Sequence, residues 1–225
     1  MIGYLLDLPL LPYRQAHALQ LSVVDARNGG RLERDVVLLL EHAPVFTLGR
    51  RGGMDNLLVS PADLGARHIE IVPIERGGDI TYHGPGQLVV YVLMDIRSRN
   101  IGVADFVTRL ETAMVRTAGH WGITARGDEL NRGAWVEDRK LGSIGITIRR
   151  GVTFHGLALN VHTDLEPFRW INPCGLKKCR ITTLEHEAGV RIGMDAVRRQ
   201  IVGHVCELFD MELTRIGLDD LMALL

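Results

Sequence analysis

Apolar residues along this chain of 225 residues follow a helical period in some segments and a strand period in others. Residues 12–28 predict a helix, with Pro12 near its start and Gly29-Gly30 as its stop. Apolar side chains at helical spacing predict a second helix over residues 103–119 and an amphipathic one over residues 194–209. The last residues are expected to form a short apolar helix.

Shorter apolar runs predict strands. They cover residues 35–41, 45–49, 69–74, 88–93, 135–136, 140–149 and 152–161. No strand–helix–strand unit carries the glycine motif of a dinucleotide-binding or phosphate-loop fold, which argues against both. The interleaved pattern therefore predicts an α/β fold, as a single domain over residues 1–225 with a mixed, largely antiparallel β-sheet and packed helices.

Composition and charge restrict the class of function. The chain is 46% hydrophobic with a formal net charge of −1, so it lacks the basic surplus of a nucleic-acid binder. No apolar run reaches the roughly 18 residues of a membrane span, and the N-terminal residues lack the basic region of a signal peptide. Three cysteines form no disulfide framework, which indicates reduced thiols. We therefore expect a cytoplasmic protein with no nucleic-acid and no membrane partner.

The segment of residues 76–88, RGGDITYHGPGQL, concentrates four glycines, a proline, a tyrosine and a histidine. Glycine and proline disfavour both helices and central strands. The segment therefore predicts a shaped loop whose backbone comes close to a ligand. Because the strand over residues 88–93 follows directly, this loop is expected at the edge of a rigid sheet, where functional loops are often mounted.

Two side chains could carry nucleophilic chemistry. Cys174 lies between Pro173 and Gly175, a setting in which open backbone N–H groups lower the pKa of a thiol; the alternative is a buried apolar cysteine. Only three of the 26 basic residues are lysines, and Lys140 shares a strand face with Gly142. A buried lysine can exchange a proton, which an arginine cannot. The alternative is a charge that protects an edge strand.

Four blocks follow one another along the chain. They are residues 76–88, Lys140-Leu141-Gly142-Ser143-Ile144-Gly145, His155-Gly156-Leu157-Ala158-Leu159-Asn160 and Asn172-Pro173-Cys174-Gly175. With these blocks the sequence resembles the lipoyl(octanoyl) transferases, the acyltransferases of lipoate biosynthesis and protein lipoylation. The resemblance covers most of the chain and implies the catalytic fold shared by lipoate and biotin protein ligases.

The resemblance implies an octanoyltransferase in which Cys174 forms an acyl-enzyme thioester and Lys140 is its catalytic partner. The implied substrate-binding residues are Arg76, Gly77, Gly78, Asp79, Ile80, Thr81, Tyr82, His83, Ser143, Ile144, Gly145, Gly156, Leu157 and Ala158. Their glycines would keep a thin groove open for an acyl chain, or would only mark bends in the strands.

The resemblance also implies the partners. The donor would be octanoyl-acyl carrier protein, which is acidic, and exposed arginines such as Arg50 and Arg51 would steer it. The acceptors would be the lipoyl domains of 2-oxoacid dehydrogenase complexes and the glycine cleavage H protein. The reaction would need no cofactor and no ATP.

Two other functions stay open at this point. The same fold would support an ATP-dependent lipoate or biotin protein ligase, which would not need Cys174. A non-catalytic acyl or lipoyl-domain binding module would keep the groove without the Cys174 and Lys140 pair. His83 has no role that the sequence fixes, and His155 and Asn160 are expected to form hydrogen bonds around the cysteine loop. Neither an HExxH nor a CxxC motif occurs, so we expect no metal site.

Overall fold

The structure, a computed structural model, describes residues 1–173 and 179–225, and these form twelve strands and six helices. The strands are β1 (Ile2–Leu11), β2 (Val36–His42), β3 (Val45–Leu48), β4 (Glu70–Pro73), β5 (Ile80–His83), β6 (Gln87–Leu93), β7 (Arg126–Gly127), β8 (Gly133–Val136), β9 (Arg139–Arg149), β10 (Val152–Asn160), β11 (Arg180–Ile181) and β12 (Glu212–Arg215). The helices are α1 (Tyr13–Asn28), α2 (Pro61–Ala66), α3 (Val103–Gly119), α4 (Leu184–Ala188), α5 (Met194–Leu208) and α6 (Leu218–Leu224). Short 3₁₀ turns span Met54–Asn56 and Glu166–Trp170.

Within the described residues the larger of two sheets has nine strands, in the order β12-β1-β2-β6-β10-β9-β8-β7 with β11 beside β9. Strand β1 pairs in parallel with β12 and β2, and β11 pairs in parallel with β9. The other neighbours in this sheet are antiparallel. A smaller sheet has the order β4-β3-β5, with one parallel and one antiparallel pairing. The predicted α/β class with a mixed, largely antiparallel sheet is confirmed.

Helices cover both faces of the larger sheet. On β2, Val37 and Leu39 pack in the apolar cluster that includes α3 and α5, whereas Val36, Leu38 and Leu40 pack in the cluster that includes α1. A strand that is buried on both faces is a continuous apolar run rather than an alternating one, which explains the sequence of β2. The neighbouring strands β6 and β10 likewise contribute to both clusters, whereas β9 contributes only to the one that includes α3 and α5, and these three strands carry the candidate site.

The helices predicted over residues 12–28, 103–119 and 194–209 correspond to α1, α3 and α5. Strands β1 and β12, at one side of the larger sheet, were not predicted from the sequence. The prediction of a loop over residues 76–88 is wrong in its middle, where β5 pairs antiparallel with β3. The burial of Ile80 and Tyr82, together with these backbone hydrogen bonds, outweighs the local effect of the flanking glycines.

In the described part of the chain no helix combines the length and the hydropathy that crossing a bilayer requires.

Candidate active site

A narrow cavity lies where the 76–88 segment crosses strands β9 and β10. Most of the residues predicted to bind substrate line it: Arg76, Gly77, Gly78, Thr81, His83, Ser143, Ile144, Gly145, Gly156, Leu157 and Ala158. Tyr13, Val89, Tyr91 and His155 also line it. Three of the four sequence blocks thus meet at one cavity.

The remaining predicted substrate residues lie elsewhere. Side chains alternate along β5, so Thr81 and His83 face the cavity while Ile80 and Tyr82 pack into the apolar core of the smaller sheet. The prediction that Ile80 and Tyr82 line the substrate site therefore does not hold for this cavity. Asp79 lines a second cavity that adjoins the first.

Backbone hydrogen bonds hold the 76–88 segment on the sheet. The amide of Gly77 donates to the carbonyl of Ile146 on β9 at 3.1 Å. The amides of Arg50 and Arg51 donate to the carbonyls of Arg76 and Gly78, both at 3.0 Å. Gly78 has φ +90°, a backbone conformation that residues with a Cβ adopt only at a cost in free energy. The glycine pair therefore lets the segment turn while its backbone stays tied to β9.

The side chain of Arg76 crosses the cavity wall and is itself buried. Its Nη2 donates to the carbonyl and to the Oγ1 of Thr47, both at 2.8 Å, and its Nη1 donates to the carbonyl of Gly77. A Cβ at Gly145 would lie 2.7 Å from the Cδ of Arg76. Glycine at position 145 therefore makes room for the arginine that closes this part of the wall.

Gly156 is required for a different reason. A Cβ at this position would lie 2.1 Å from the carbonyl oxygen of Val90 on the neighbouring strand β6. The pairing of β10 with β6 therefore requires glycine here, whatever occupies the cavity. The sequence offered an open groove or a bend in the strand as the reason for this glycine, and the close contact between strands explains Gly156 without either.

His83 is a buried, neutral imidazole. Burial, followed by the nearby His42, lowers the pKa of His83 to about 3. Its Nδ1 lies 2.7 Å from the Oε1 of Gln87, which can only accept, so Nδ1 carries the proton. Its Nε2 is then an acceptor toward the hydroxyl of Thr47, at 3.5 Å. His83 therefore stabilises the wall of the cavity in its uncharged form.

His42 and Tyr91 form another uncharged, hydrogen-bonded group behind this wall. Burial lowers the pKa of His42 to about 4, and its Nδ1 donates to the carbonyl of Leu11 at 2.9 Å. Its Nε2 accepts a hydrogen bond from the hydroxyl of Tyr91 at 2.7 Å. Burial also raises the pKa of Tyr91 and of Tyr13. The polar side chains around the cavity are thus largely uncharged, which suits an apolar chain.

Lys140 lies on β9 with only 2% of its surface exposed. Its Nζ is 5.0 Å from the ring centroid of Trp135, a cation–π distance. Lys140 lines the second cavity together with Arg51 and Arg132. Gly77, Gly78, Ile144 and Gly145 line both cavities. The lysine therefore lies where a wider, basic cavity meets the narrow one.

A chain of hydrogen bonds connects His83 to the backbone of Lys140. From His83 it continues through Gln87, whose Nε2 donates to the Oδ1 of Asn160 at 2.9 Å. The Nδ2 of Asn160 donates to the carbonyl of Thr182 at 3.1 Å, and the amide of Thr182 donates to the carbonyl of Lys140 at 3.0 Å. The cavity wall and the lysine are thus fixed by one network.

Cys174 lies outside the described residues, but the chain on both sides of residues 174–178 is anchored near Lys140 and Asp79. The amide of Asn172 donates to the carbonyl of Asn56 at 2.8 Å, and the Nδ2 of Asn56 donates to the Oδ2 of Asp79 at 2.6 Å. After residue 178, β11 pairs with β9 so that Ile181 lies opposite Lys140. These contacts attach the flanks of the cysteine block to the second cavity.

Several residues of the site were not found from the sequence. Thr47 and Tyr91 lie within ordinary strands, where nothing in the local pattern distinguishes them from core positions, and Gln87 belongs to the 76–88 segment but was not among the predicted site residues. Asn160 was expected near the cysteine loop, and its bond to Thr182 agrees with that expectation. His155 was expected there too, but the structure places it in the wall of the narrow cavity. The strands predicted over residues 140–149 and 152–161 are paired as β9 and β10, and His155 lies opposite Ile146 in that pairing.

The fold is that of the catalytic domains of lipoate and biotin protein ligases. Lipoate-protein ligase A, solved with bound ATP, matches with a TM-score of 0.79 at 18% identity, covering all of this chain and 92% of that one. Biotin protein ligase from Aquifex aeolicus matches with a TM-score of 0.55 at 11% identity, covering 93% of this chain and 70% of that one. At these identities the likeness concerns the fold alone.

Sequence comparison gives the family. Residues 12–206 match the lipoyl protein ligase A/B catalytic domain. A protein named octanoyltransferase from Desulfotalea psychrophila is 47% identical over 210 residues, which is 92% of this chain and 94% of that protein. The octanoyltransferase of Syntrophobacter fumaroxidans is 40% identical over 223 residues, or 99% and 97% of the two chains. The chain therefore belongs to the lipoyl protein ligase A/B catalytic domain family. The predicted resemblance to octanoyltransferases is confirmed, and the chain is an acyltransferase of that kind.

Proposed function

We propose that this enzyme transfers an octanoyl group from octanoyl-acyl carrier protein to the ε-amine of a lysine on a lipoyl domain. The observation that carries the proposal is the junction of a narrow, largely uncharged cavity with a wider one that contains a buried lysine. The narrow cavity would hold the acyl chain. The wider one would admit the carrier's thioester and, after the carrier leaves, the acceptor lysine.

Cys174 would act as the nucleophile. Its thiolate attacks the carbonyl carbon of the donor thioester, and collapse of the tetrahedral intermediate releases the thiol of the carrier and leaves an octanoyl thioester on Cys174. The acceptor amine then attacks this second thioester, and the products are an amide and the free Cys174 thiol. Because an amide is more stable than a thioester, the transfer needs no ATP.

Lys140 would move the protons. It would take the proton of the Cys174 thiol and return it to the departing carrier thiolate. It then takes a proton from the attacking amine and returns it to the sulfur of Cys174. The burial of Lys140 and the anchoring of β11 beside it support this role, because a proton carrier must be held in place.

Charge at the second cavity supports the proposed partners. Arg51 lines this cavity and Arg50 is exposed beside it, so an acidic carrier protein would be attracted to the opening. The acceptors would be the lipoyl domains of 2-oxoacid dehydrogenase complexes and the glycine cleavage H protein. Each must present one lysine on an exposed turn to reach the second cavity.

Intact-protein mass spectrometry tests the covalent step. Incubation with octanoyl-acyl carrier protein should add one octanoyl group to the protein. This group should map to Cys174, and hydroxylamine should remove it. Cys174→Ala should lose both the adduct and turnover, whereas the matched control Cys179→Ser should keep both. An active Cys174→Ala enzyme would exclude the mechanism.

The same assay with and without ATP distinguishes the transferase from a ligase. A ligase remains the second candidate because lipoate-protein ligase A with bound ATP shares this fold. Transfer from octanoyl-acyl carrier protein should proceed after apyrase treatment, and free octanoate with ATP should be a poor donor. A strict requirement for ATP, with free octanoate as the better donor, would instead support the ligase.

A further inference from the structure

Two imidazoles and one carboxylate meet beside the narrow cavity, whose wall includes one of them, His155. They belong to His17 on α1, Glu75 just after β4 and His155 on β10, and their ligand atoms all lie within 4.8 Å of one another. The Nε2 of His17 is 3.0 Å from the Oε2 of Glu75, and the Nε2 of His155 is 4.0 Å from the same oxygen. The two imidazole rings are stacked, with centroids 5.6 Å apart and 7° between their planes. Three distant parts of the chain thus direct nitrogen and oxygen atoms to one point.

An ion bound between these three side chains would give the His155 imidazole a partner that it lacks among the described residues. Its side chain is 2% exposed, and its Nε2 has no hydrogen-bond partner among the described residues. A buried polar atom left in this state costs about 1–3 kcal/mol. The residue also has φ +60°, and its amide is held by the Oε1 of Gln20 at 2.7 Å. The backbone therefore holds the ring in a strained position from which its nitrogen faces Glu75.

We propose that His17, Glu75 and His155 bind a divalent transition-metal ion, with zinc as the reference ion. Two imidazoles with one carboxylate are an established ligand set for zinc and for ferrous iron. Ligand atoms about 2.1 Å from a tetrahedral ion lie about 3.4 Å apart, between the 3.0 Å and 4.0 Å separations observed from Glu75 Oε2. Because the two imidazole planes are only 7° apart, at least one ring must rotate to direct both nitrogen lone pairs at one ion.

The surroundings leave this position open to an ion. The other oxygen of Glu75, Oε1, lies 3.8 Å from the Nη2 of Arg149, so Oε2 is the one directed at the histidines. The side chains of His17 and Glu75 are 21% and 26% exposed, which gives an ion a path from solvent and space for water as a fourth ligand.

A bound ion would connect α1, the residue that precedes Arg76, and β10. All three elements contribute to the wall of the narrow cavity. The ion would therefore fix the shape of that wall, and it would stabilise the folded chain because it binds the folded state. This site takes no part in the proposed transfer reaction, so the two proposals can fail separately.

Metal binding is tested on the full chain with Cys174→Ala, Cys179→Ser and Cys206→Ala, since thiols also bind zinc. Titration calorimetry with Zn²⁺ should give one site per chain, and Zn²⁺ should raise the melting temperature by a few degrees. Mg²⁺, which prefers oxygen ligands, should do neither. Separate variants His17→Ala, Glu75→Gln and His155→Asn should each weaken Zn²⁺ binding at least about tenfold. Asparagine is chosen because it tolerates positive φ.

His120→Ala and Glu70→Gln are the matched controls, since both residues are exposed and lie outside the group. They should bind Zn²⁺ as the parent does. Should His155→Asn fail to fold, the two partly exposed positions still decide the question. With Co²⁺ the unmodified chain should show visible d–d bands without a thiolate charge-transfer band. No one-site binding, binding that the three variants leave unchanged, or binding lost with the cysteines would each overturn the proposal.

Discussion

The backbone amide of Thr182 donates a hydrogen bond to the carbonyl oxygen of Lys140 at 3.0 Å. This bond fixes the chain that follows the cysteine block against the strand that carries the lysine. The carbonyl of Thr182 also accepts from Asn160, so the buried amide at position 160 helps to set the distance between the two segments. Asn160 therefore acts on the proposed chemistry through position and not through contact with substrate.

Asn160→Ala should weaken both the fold and catalysis. It removes the acceptor of Gln87 and the donor to Thr182 inside a buried network, at a cost of about 1–3 kcal/mol. Because the segments beside Lys140 would shift, kcat should fall more than KM rises. Urea unfolding and steady-state octanoyl transfer measure the two effects.

Asn28→Ala is the matched control for Asn160→Ala. The Nδ2 of Asn28 also donates to a backbone carbonyl, that of Arg149, but it lies at the end of α1 away from the network. Its loss should leave kcat unchanged. If Asn160→Ala loses stability but keeps the parent kcat, the network has no positioning role.

Gly145→Ala should obstruct the narrow cavity. The added Cβ would lie 2.7 Å from the Cδ of Arg76, so the arginine or β9 must move. Such overpacking costs about 1–3 kcal/mol, and the displaced side chain should reduce transfer of long acyl chains more than of short ones. Kinetics with acyl donors of graded length, together with a thermal melt, test this prediction.

Gly203→Ala is the control for Gly145→Ala, because the same substitution is expected to stabilise the protein at position 203. Gly203 lies within α5, and a Cβ there meets nothing within 4 Å. Alanine should stabilise the helix by about 0.5–1 kcal/mol and leave the preference for chain length unchanged. Equal effects of the two variants would show that Gly145 has no special place in the cavity.

The sequence predicted much of the framework because periodicity reports local burial. The helices α1 and α3 were predicted within a residue of their observed ends, α1 from Pro12 and the Gly29-Gly30 stop and α3 from apolar residues at helical spacing. Strand β5 was missed because the glycines around it disfavour a strand, and its stability comes from pairing with β3, which is distant in sequence. Long-range pairing is not contained in a local pattern.

The residues of the candidate site likewise divide into those that the sequence predicted and those that only the long-range packing reveals. The substrate-binding residues were predicted because the chain resembles a known family, and most of them line one cavity. The group formed by His17, Glu75 and His155 was not predicted, because no two of these residues have metal-ligand spacing in the sequence. Only the packing of α1 against β10 brings them together. Which face Ile80 and Tyr82 occupy likewise depends on the register of β5.

Acid should destabilise the fold through the buried histidines. The pKa of His83 is lowered to about 3 and that of His42 to about 4, from about 6.5 in the unfolded chain, mainly by burial. Below pH 6.5 the unfolded state binds protons that the folded state does not, so stability falls as the pH falls toward 4. Above pH 6.5 this contribution is constant. Each histidine adds at most about 1.4 kcal/mol per pH unit.

Melting temperatures from pH 7.5 to 4.5 measure this dependence (about one reading per half unit). His42→Gln should flatten the decline below pH 6.5, because an uncharged amide replaces the imidazole beside Tyr91. His120→Gln, at an exposed position, should leave the decline as it is. Equal slopes for the parent and His42→Gln would show that other groups cause the acid sensitivity.

Lys140→Arg separates charge from proton transfer at the proposed base. If Lys140 only held a thiolate by its charge, arginine would keep substantial activity, whereas a guanidinium cannot give up its proton near neutral pH. We expect a loss of about 10²-fold or more in octanoyl transfer, the usual scale for a general base.

Arg139→Lys, one residue away on β9, is the reciprocal control and should keep most activity, since Arg139 pairs with Glu187 at 2.8 Å. Circular dichroism and a thermal melt must show a folded Lys140→Arg chain, because the side chain packs closely against Trp135 and Gly133. A folded variant within a few-fold of the parent would leave Lys140 with an electrostatic role only.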